Sequence, residues 1–463
     1  MFQTIHPQKR NQNLLPWLML VISCTVQVYG QHKKSQTVTP DDMQFMHDIT
    51  GAVVESSRVY PGQSLPENIE RFGPNTSGIT LIRPGGRSNY PAFWIRDYAM
   101  SLESGFISLQ EQKDMLLFTA SRQADQSIIL PSGSMVPLGA IPDHITFKDG
   151  LPIYFPGTID DFKGQGDHRW KLPPFGDQFF FIHMAWYYVQ QSDEKDLLYQ
   201  EINGKTLLDR LLLAFDMVPT LPKGVLVAVN DNFITTDFGF RDVIGMTGEL
   251  CFGSLLKFRA AQELAALLER LDDPTKKERF DRLAAEIKKA IPPTFQDDRG
   301  MLRASTGLSR QPDVWATAFA VYLGALSGQE AIKASAFLTK AYQKGTLAME
   351  GNIRHILTTD DFSKTSAWEK ASAKINTYQN GAYWGTPTGW VVYAIDQHDP
   401  KAAMALAKEY IDHLRSTDFR KGNDFGGPYE CIFTPDHYKQ NPVYMTSVTI
   451  PFAVFNELGY GKK

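Results

Sequence analysis

Three stretches of the chain set acidic side chains among aromatic rings and turn formers, and they lie far apart in sequence. The first is NYPAFWIRDYAM at 89–100, with Trp94, Arg96 and Asp97 at a helix start. The second is TTDFGFRDVIGMTGEL at 235–250, which carries Asp237, Asp242 and Glu249. The third is GGPYECIFTPDHY at 426–438, where Glu430 stands among Tyr429, Phe433 and Tyr438. Two carboxyl groups brought together from distant segments are what cleavage of a glycosidic bond requires. One protonates the leaving oxygen, and the other acts as base or nucleophile on the opposite side of the sugar ring.

The elements that must position these acids are helical. Apolar residues recur at helical spacing from Met43 through Phe45, Met46, Ile49 and Val53. The same pattern returns over 98–123, 177–190, 195–215, 249–271, 275–290, 312–327, 330–343, 385–396, 400–415 and 442–457. The stretch 249–271 is the clearest, with Leu250, Leu255, Leu256, Phe258, Ala261, Leu264, Leu267, Leu268 and Leu271 on one stripe before Asp272-Asp273-Pro274 stops it. Helices in consecutive pairs bury such stripes only by stacking side by side, and a closed ring of helical hairpins does so economically. Two connections are too long for simple links, 125–176 and 218–248, and are expected to build a wall of a pocket.

At this point the residues resemble a known group. FWIRDYAM is similar to the Trp-x-Arg-Asp segment of the six-hairpin glycosidases, which include glucoamylases, trehalases, processing α-glucosidases and the debranching amylo-glucosidases. FGFRD followed by GELCFGSLLKFRAAQELA, then QPDVWATAFAV at 311–321, NGAYWGTPTGWVVYAI at 380–395 and YECIFTPDHY resemble their later landmarks, in the same order. The resemblance implies an all-α (α/α)6 barrel and an exo-acting, inverting hydrolase of α-linked gluco-type oligosaccharides. It implies Asp242 as general acid and Glu430 as general base, with Asp237 or Glu249 as alternatives for the acid. It places Arg96 and Asp97, with Trp94, at the terminal-sugar subsite, makes Glu249 a further sugar contact, and puts Asn380 and Trp384 in another pocket-facing segment. An apolar wall of Phe238, Phe240 and Trp384 would raise the pKa of Asp242. Two departures stand out: Phe240 replaces the Trp usual two residues before the acid, and Gly385-Thr386-Pro387 replaces the Pro usual after Trp384. The group's frequent N-terminal β-sandwich has no room here.

Composition reads as globular. With 43% hydrophobic and 21% charged residues and a net charge of −4 over 463 residues, the chain has a large core and no electrostatic footprint for nucleic acid. Lys9 and Arg10 precede an apolar run from Leu14 to about Val28, which reads as a signal peptide over 1–30 and export to the periplasm or cell surface. Cys24 within Val21-Ile22-Ser23-Cys24 offers an alternative, lipidated start. A helical lead-in over 31–70 and a catalytic domain over 71–463 complete the expected organisation. Cys251 and Cys431 would form one bridge or remain buried thiols. No cofactor or metal is expected, since Asp160-Asp161 lacks accompanying oxygen ligands; His183 and His355 read as core residues. The same helical ring serves unsaturated-uronide hydrolases and polysaccharide lyases, and a sugar-binding protein without catalysis is a further alternative.

Overall fold

The computed structural model describes residues 37–65, 73–87, 90–129, 135–154, 175–230 and 240–462. The segment 1–30 expected to be a signal peptide, Cys24, Asp160-Asp161, Asp237 and Phe238 lie outside them. Alternation between two kinds of helix organises the chain. α1 (Pro40–Ser57), α3 (Leu109–Ala120), α5 (Leu207–Asp216), α7 (Pro274–Phe295), α9 (Gly328–Gln343) and α11 (Pro400–Thr417) form an outer set. α2 (Ile95–Ala99), α4 (Asp177–Ser192), α6 (Cys251–Arg270), α8 (Val314–Tyr322), α10 (Thr388–Asp396) and α12 (Thr446–Glu457) form an inner set.

Sequence dictates which set a helix joins. In α7 the buried residues are Phe280, Ala284, Ile287, Ile291 and Phe295, a single stripe at three- and four-residue steps with solvent on the other sides. Asp273 caps its start by accepting from the Lys276 N–H at 3.0 Å, and Pro274 fits the first turn. In α8 (VWATAFAVY), by contrast, Val314 through Val321 are all buried, as a helix enclosed on every side must be.

Packing closes the ring. α2 touches α4, α4 touches α6, and the series runs through α8 and α10 to α12, which returns to the short helix Leu102–Ser104 just after α2. Outside it, α3 and α5 lie on α4, α7 on α6, α9 on α8 and α10, α11 on α10, and α1 on α12. This is an (α/α)6 barrel. α1 is thus an outer helix of the ring rather than a lead-in, and the described residues form one compact unit with no division near residue 70. The long helix expected over 98–123 is broken. Gly105 takes a left-handed turn (φ 77°) and Ser108 caps a new helix by accepting from the Glu111 N–H.

Sheets that the helical spacing did not foretell crown the mouth of the ring, where they lead into the first turns of α2, α10 and α12. A five-stranded antiparallel sheet runs through Ala348–Met349, Asn352–Arg354, Tyr383–Trp384, Tyr429–Phe433 and Tyr438–Pro442. A three-stranded sheet joins Ala92–Trp94, His144–Thr146 and Pro152–Ile153. Cys251 and Cys431 are buried free thiols. Among the described residues no helix is long and apolar enough to cross a membrane.

Candidate active site

A cavity of about 150 Å³ opens at the crowned mouth, lined by Tyr90, Trp94, Arg96, Asp97, Asp143, Phe240, Asp242, Tyr378, Glu430 and Tyr444. It gathers one acid from each of the three loops singled out in the sequence and adds a fourth, Asp143.

Asp242 is delivered by the loop that ends at the buried ion pair of Arg241 with Asp313. Asp313 itself caps α8, accepting from the N–H groups of Trp315 and Ala316 at 2.9 and 3.2 Å. Arg241 therefore ties the loop to the inner ring one residue before the acid. The Tyr378 hydroxyl donates to Asp242 Oδ2 at 3.0 Å and the Gln379 amide donates to Oδ1, while Gln379 Oε1 accepts from the Val243 N–H at 2.9 Å. Burial pushes the Asp242 carboxyl up to about 6, against the pull of Arg96.

Glu430 comes from the strand Tyr429–Phe433. The Asn441 amide donates to its Oε2 and also to the Tyr90 hydroxyl, at 2.8 Å. Burial first, then the neighbouring charges of Asp242 and Asp97, push Glu430 up to about 8. Asp242 thus helps to keep Glu430 protonated, as a like charge in a low-dielectric site does.

Arg96 and Asp97 open α2. Asp97 accepts from the Tyr444 hydroxyl at 2.5 Å and is pushed up to about 6 by burial, which outweighs Arg96. Arg96 donates to Asp143 at 2.5 Å, and Asp143 also pairs with His144 Nδ1 at 2.6 Å. Burial acts to raise Asp143, but Arg96 and His144 outweigh it and hold the carboxyl below its usual range. The His144 ring stacks on Trp94 at 4.3 Å, across the sheet register that pairs the two residues. Asp143–His144 therefore links the guanidinium to the indole that forms part of the wall. Below them Asp177, the first residue of α4, is buried with neither carboxylate oxygen hydrogen-bonded, and burial pushes it well up.

Of the other expected contacts, the structure brings Trp94, Arg96 and Asp97 to the cavity and leaves three outside its lining. Trp384 is buried behind it, 5.5 Å from Phe240 and 5.4 Å from Tyr378 between ring centres, so it supports the wall. The Asn380 side chain accepts from the Ala367 N–H at 2.9 Å and donates to the Ala373 carbonyl at 2.9 Å, tying a loop together. Glu249 is half-buried on a short strand paired with Ala228. Sequence reasoning missed Asp143, Tyr378, Gln379, Asn441 and Tyr444. Tyr90 stood inside the first acid-bearing stretch without being singled out. Among the described residues no cluster of His, Cys, Asp and Glu has the arrangement of a metal site.

No family model matches the sequence, and no curated protein matches it either. Among solved structures, the chain is similar to a GH63 mannosylglycerate hydrolase from Thermus thermophilus, determined in complex with glucose. The identity is 12%, the TM-score 0.54, and the match covers 88% of this chain and 99% of that one. At that identity the likeness speaks to architecture, and it agrees with the helical ring described above: this chain has the fold of the six-hairpin enzymes.

Proposed function

We propose that the protein is an exo-acting glycoside hydrolase that removes a terminal, α-linked gluco-type sugar by general acid–base catalysis with inversion. The observation that carries this reading is the convergence of Asp242 and Glu430, buried and with raised pKa values, on one small cavity walled by Trp94, Tyr90, Phe240 and Tyr378. The cavity is small and largely walled by side chains, which favours action at a chain end. Aromatic faces suit the apolar side of a pyranose, and Arg96 and Asp97 suit its hydroxyls. The glucose complex of the structurally similar hydrolase supports a sugar occupant. The apolar N-terminal segment supports export, with lipidation at Cys24 as the alternative to cleavage near Gly30.

In this scheme Asp242 protonates the leaving oxygen and Glu430 activates a water. One observation favours the exchanged roles: Glu430 holds its proton more tightly than Asp242, since its carboxyl is pushed higher by burial and its two acidic neighbours. A raised pKa is the mark of a general acid. The test is turnover of a panel of α- and β-linked disaccharides beside a glycosyl fluoride, whose leaving group needs no proton. Asp242→Asn is expected to lose disaccharide turnover by about 10²–10⁴-fold yet keep fluoride turnover, while Glu430→Gln loses both. The opposite pattern exchanges the roles. NMR of the first-formed anomer reads inversion, and a wild-type protein that binds sugars without cleaving any of them removes the hydrolase reading.

A further inference from the structure

Of twelve described residues other than glycine with left-handed backbone, four lie at or beside the cavity. Phe240 (φ 56°), Tyr378 (φ 46°), Asn441 (φ 46°) and Val443 (φ 57°) all adopt the left-handed region that L-residues other than glycine avoid. Two of the four line the cavity directly. Val443 is the clearest outlier, a β-branched, fully buried residue in that region. Asn441 carries a second conflict, because it precedes Pro442, and a residue before proline is steered towards extended backbone. Such conformations persist only where surrounding structure enforces them, and they gather at functional sites.

Asn441 lies near the end of the last strand of the five-stranded sheet, Tyr438–Pro442. The register sets it directly opposite Glu430, between the pairs Tyr429–Pro442 and Cys431–Gln440, and its amide donates to Glu430 across the ladder despite the left-handed backbone at 441. The residues that follow bring Tyr444 to Asp97. At the other carboxylate one of the two donors, Tyr378, is also left-handed.

We infer that Asn441 is a positioning residue for Glu430: the strand register sets it opposite that carboxylate, and its amide holds Glu430 Oε2 and the Tyr90 hydroxyl together. The inference rests on the hydrolase reading for its catalytic consequence, but its structural core does not. The amide donates to the two oxygens it faces, Glu430 Oε2 and the Tyr90 hydroxyl. By donating, it fixes one Glu430 rotamer and favours the ionised form that a base requires.

Asn441→Gly separates strain from function, because glycine accepts the left-handed backbone without cost but has no amide side chain. The expected result is a Tm equal to or above wild type, a kcat lower by about 100-fold with KM changed far less, and an acid limb of the pH profile moved to higher pH. Asn441→Asp, nearly isosteric and tolerant of the same backbone, guards against a folding defect and is expected to move that limb further. A second readout needs no substrate: infrared titration of the Glu430 carboxyl band, assigned by its loss in Glu430→Gln. Both variants should keep that band protonated to higher pH. If the titration is unchanged and kcat stays within about twofold of wild type, Asn441 is merely a turn former and the inference fails. If no glycoside is cleaved by wild type but the band still shifts, the hydrolase reading fails and the positioning role stands.

Discussion

Inside the helical ring, buried acids have two kinds of neighbour. Midway along α4 and α6, Glu263 accepts from His183 Nδ1 at 2.6 Å and lies 3.6 Å from Arg259 Nε. At the mouth, Asp242 and Glu430 are held by Tyr378, Gln379, Tyr90 and Asn441, all neutral donors. There the Arg96 guanidinium faces Asp97, Asp143, Asp177 and Asp242 together. In the body of the ring, charge is matched pair by pair and contributes to folding. At the mouth it is left in excess, which weakens the fold and loads the carboxyls with protons that can be transferred. Such a division of labour is what a stability–activity trade-off looks like at residue level.

Neutralising one acid from each region sharpens the comparison. Glu263→Gln should destabilise by about 3–5 kcal/mol, because it strips a buried pair of one partner. Glu430→Gln should do the reverse and stabilise by about 1 kcal/mol or more at pH 8, where the wild type must ionise a carboxyl that its surroundings disfavour. Urea unfolding of both variants at that pH measures the two effects. Equal signs would remove the distinction between the regions.

The pH dependence of stability tests the same point without mutation. Asp97 and Asp242 are pushed up to about 6 and Glu430 to about 8, from ordinary values of 3.8 and 4.5. Between about pH 4 and 8 these groups bind more protons folded than unfolded, so they contribute stability at low pH that is lost as pH rises through their folded values. Tm should therefore fall from about pH 5 to about pH 8.5. In Glu430→Gln the upper part of that decline, above about pH 7, should flatten. A Tm that climbs over this range would mean that the mouth is not the dominant titrating region.

Much of this architecture was legible in the sequence. Helical spacing, clearest over 249–271, announced helices whose pairing led to the ring, and acids set among aromatic rings and turn formers marked the stretches bearing Asp97, Asp242 and Glu430. What was hidden has physical reasons. Helical spacing says nothing of strands only two to five residues long, so the sheet that carries Glu430 and Asn441 left no periodic signal. Asp143 sits in a Pro-rich loop, and its value comes only from the register that sets His144 beside Trp94. Tyr378 and Asn441 act through left-handed backbone, which for residues other than glycine no local pattern advertises. The reverse error has a reason too. Asn380 and Trp384 share a segment with Tyr378 and Gln379, and proximity in sequence does not say which side chains of a turn face inwards.

Glu249 gives the smallest expected effect and the finest test of where the working region ends. It opens the segment leading into α6 and was expected to touch the sugar. Its carboxyl is raised by burial alone, with no pocket acid contributing. Its N–H donates to the Thr306 hydroxyl at 2.9 Å, an anchoring that does not involve the side chain. With the carboxylate outside the lining, Glu249→Gln should leave kcat/KM within about threefold and stability within about 0.5 kcal/mol of wild type, like an ordinary substitution away from the core. A loss of about 100-fold or more would show that the sugar path extends past Asp242 along the start of α6, and that the region of unmatched charge is wider than the acids around Arg96.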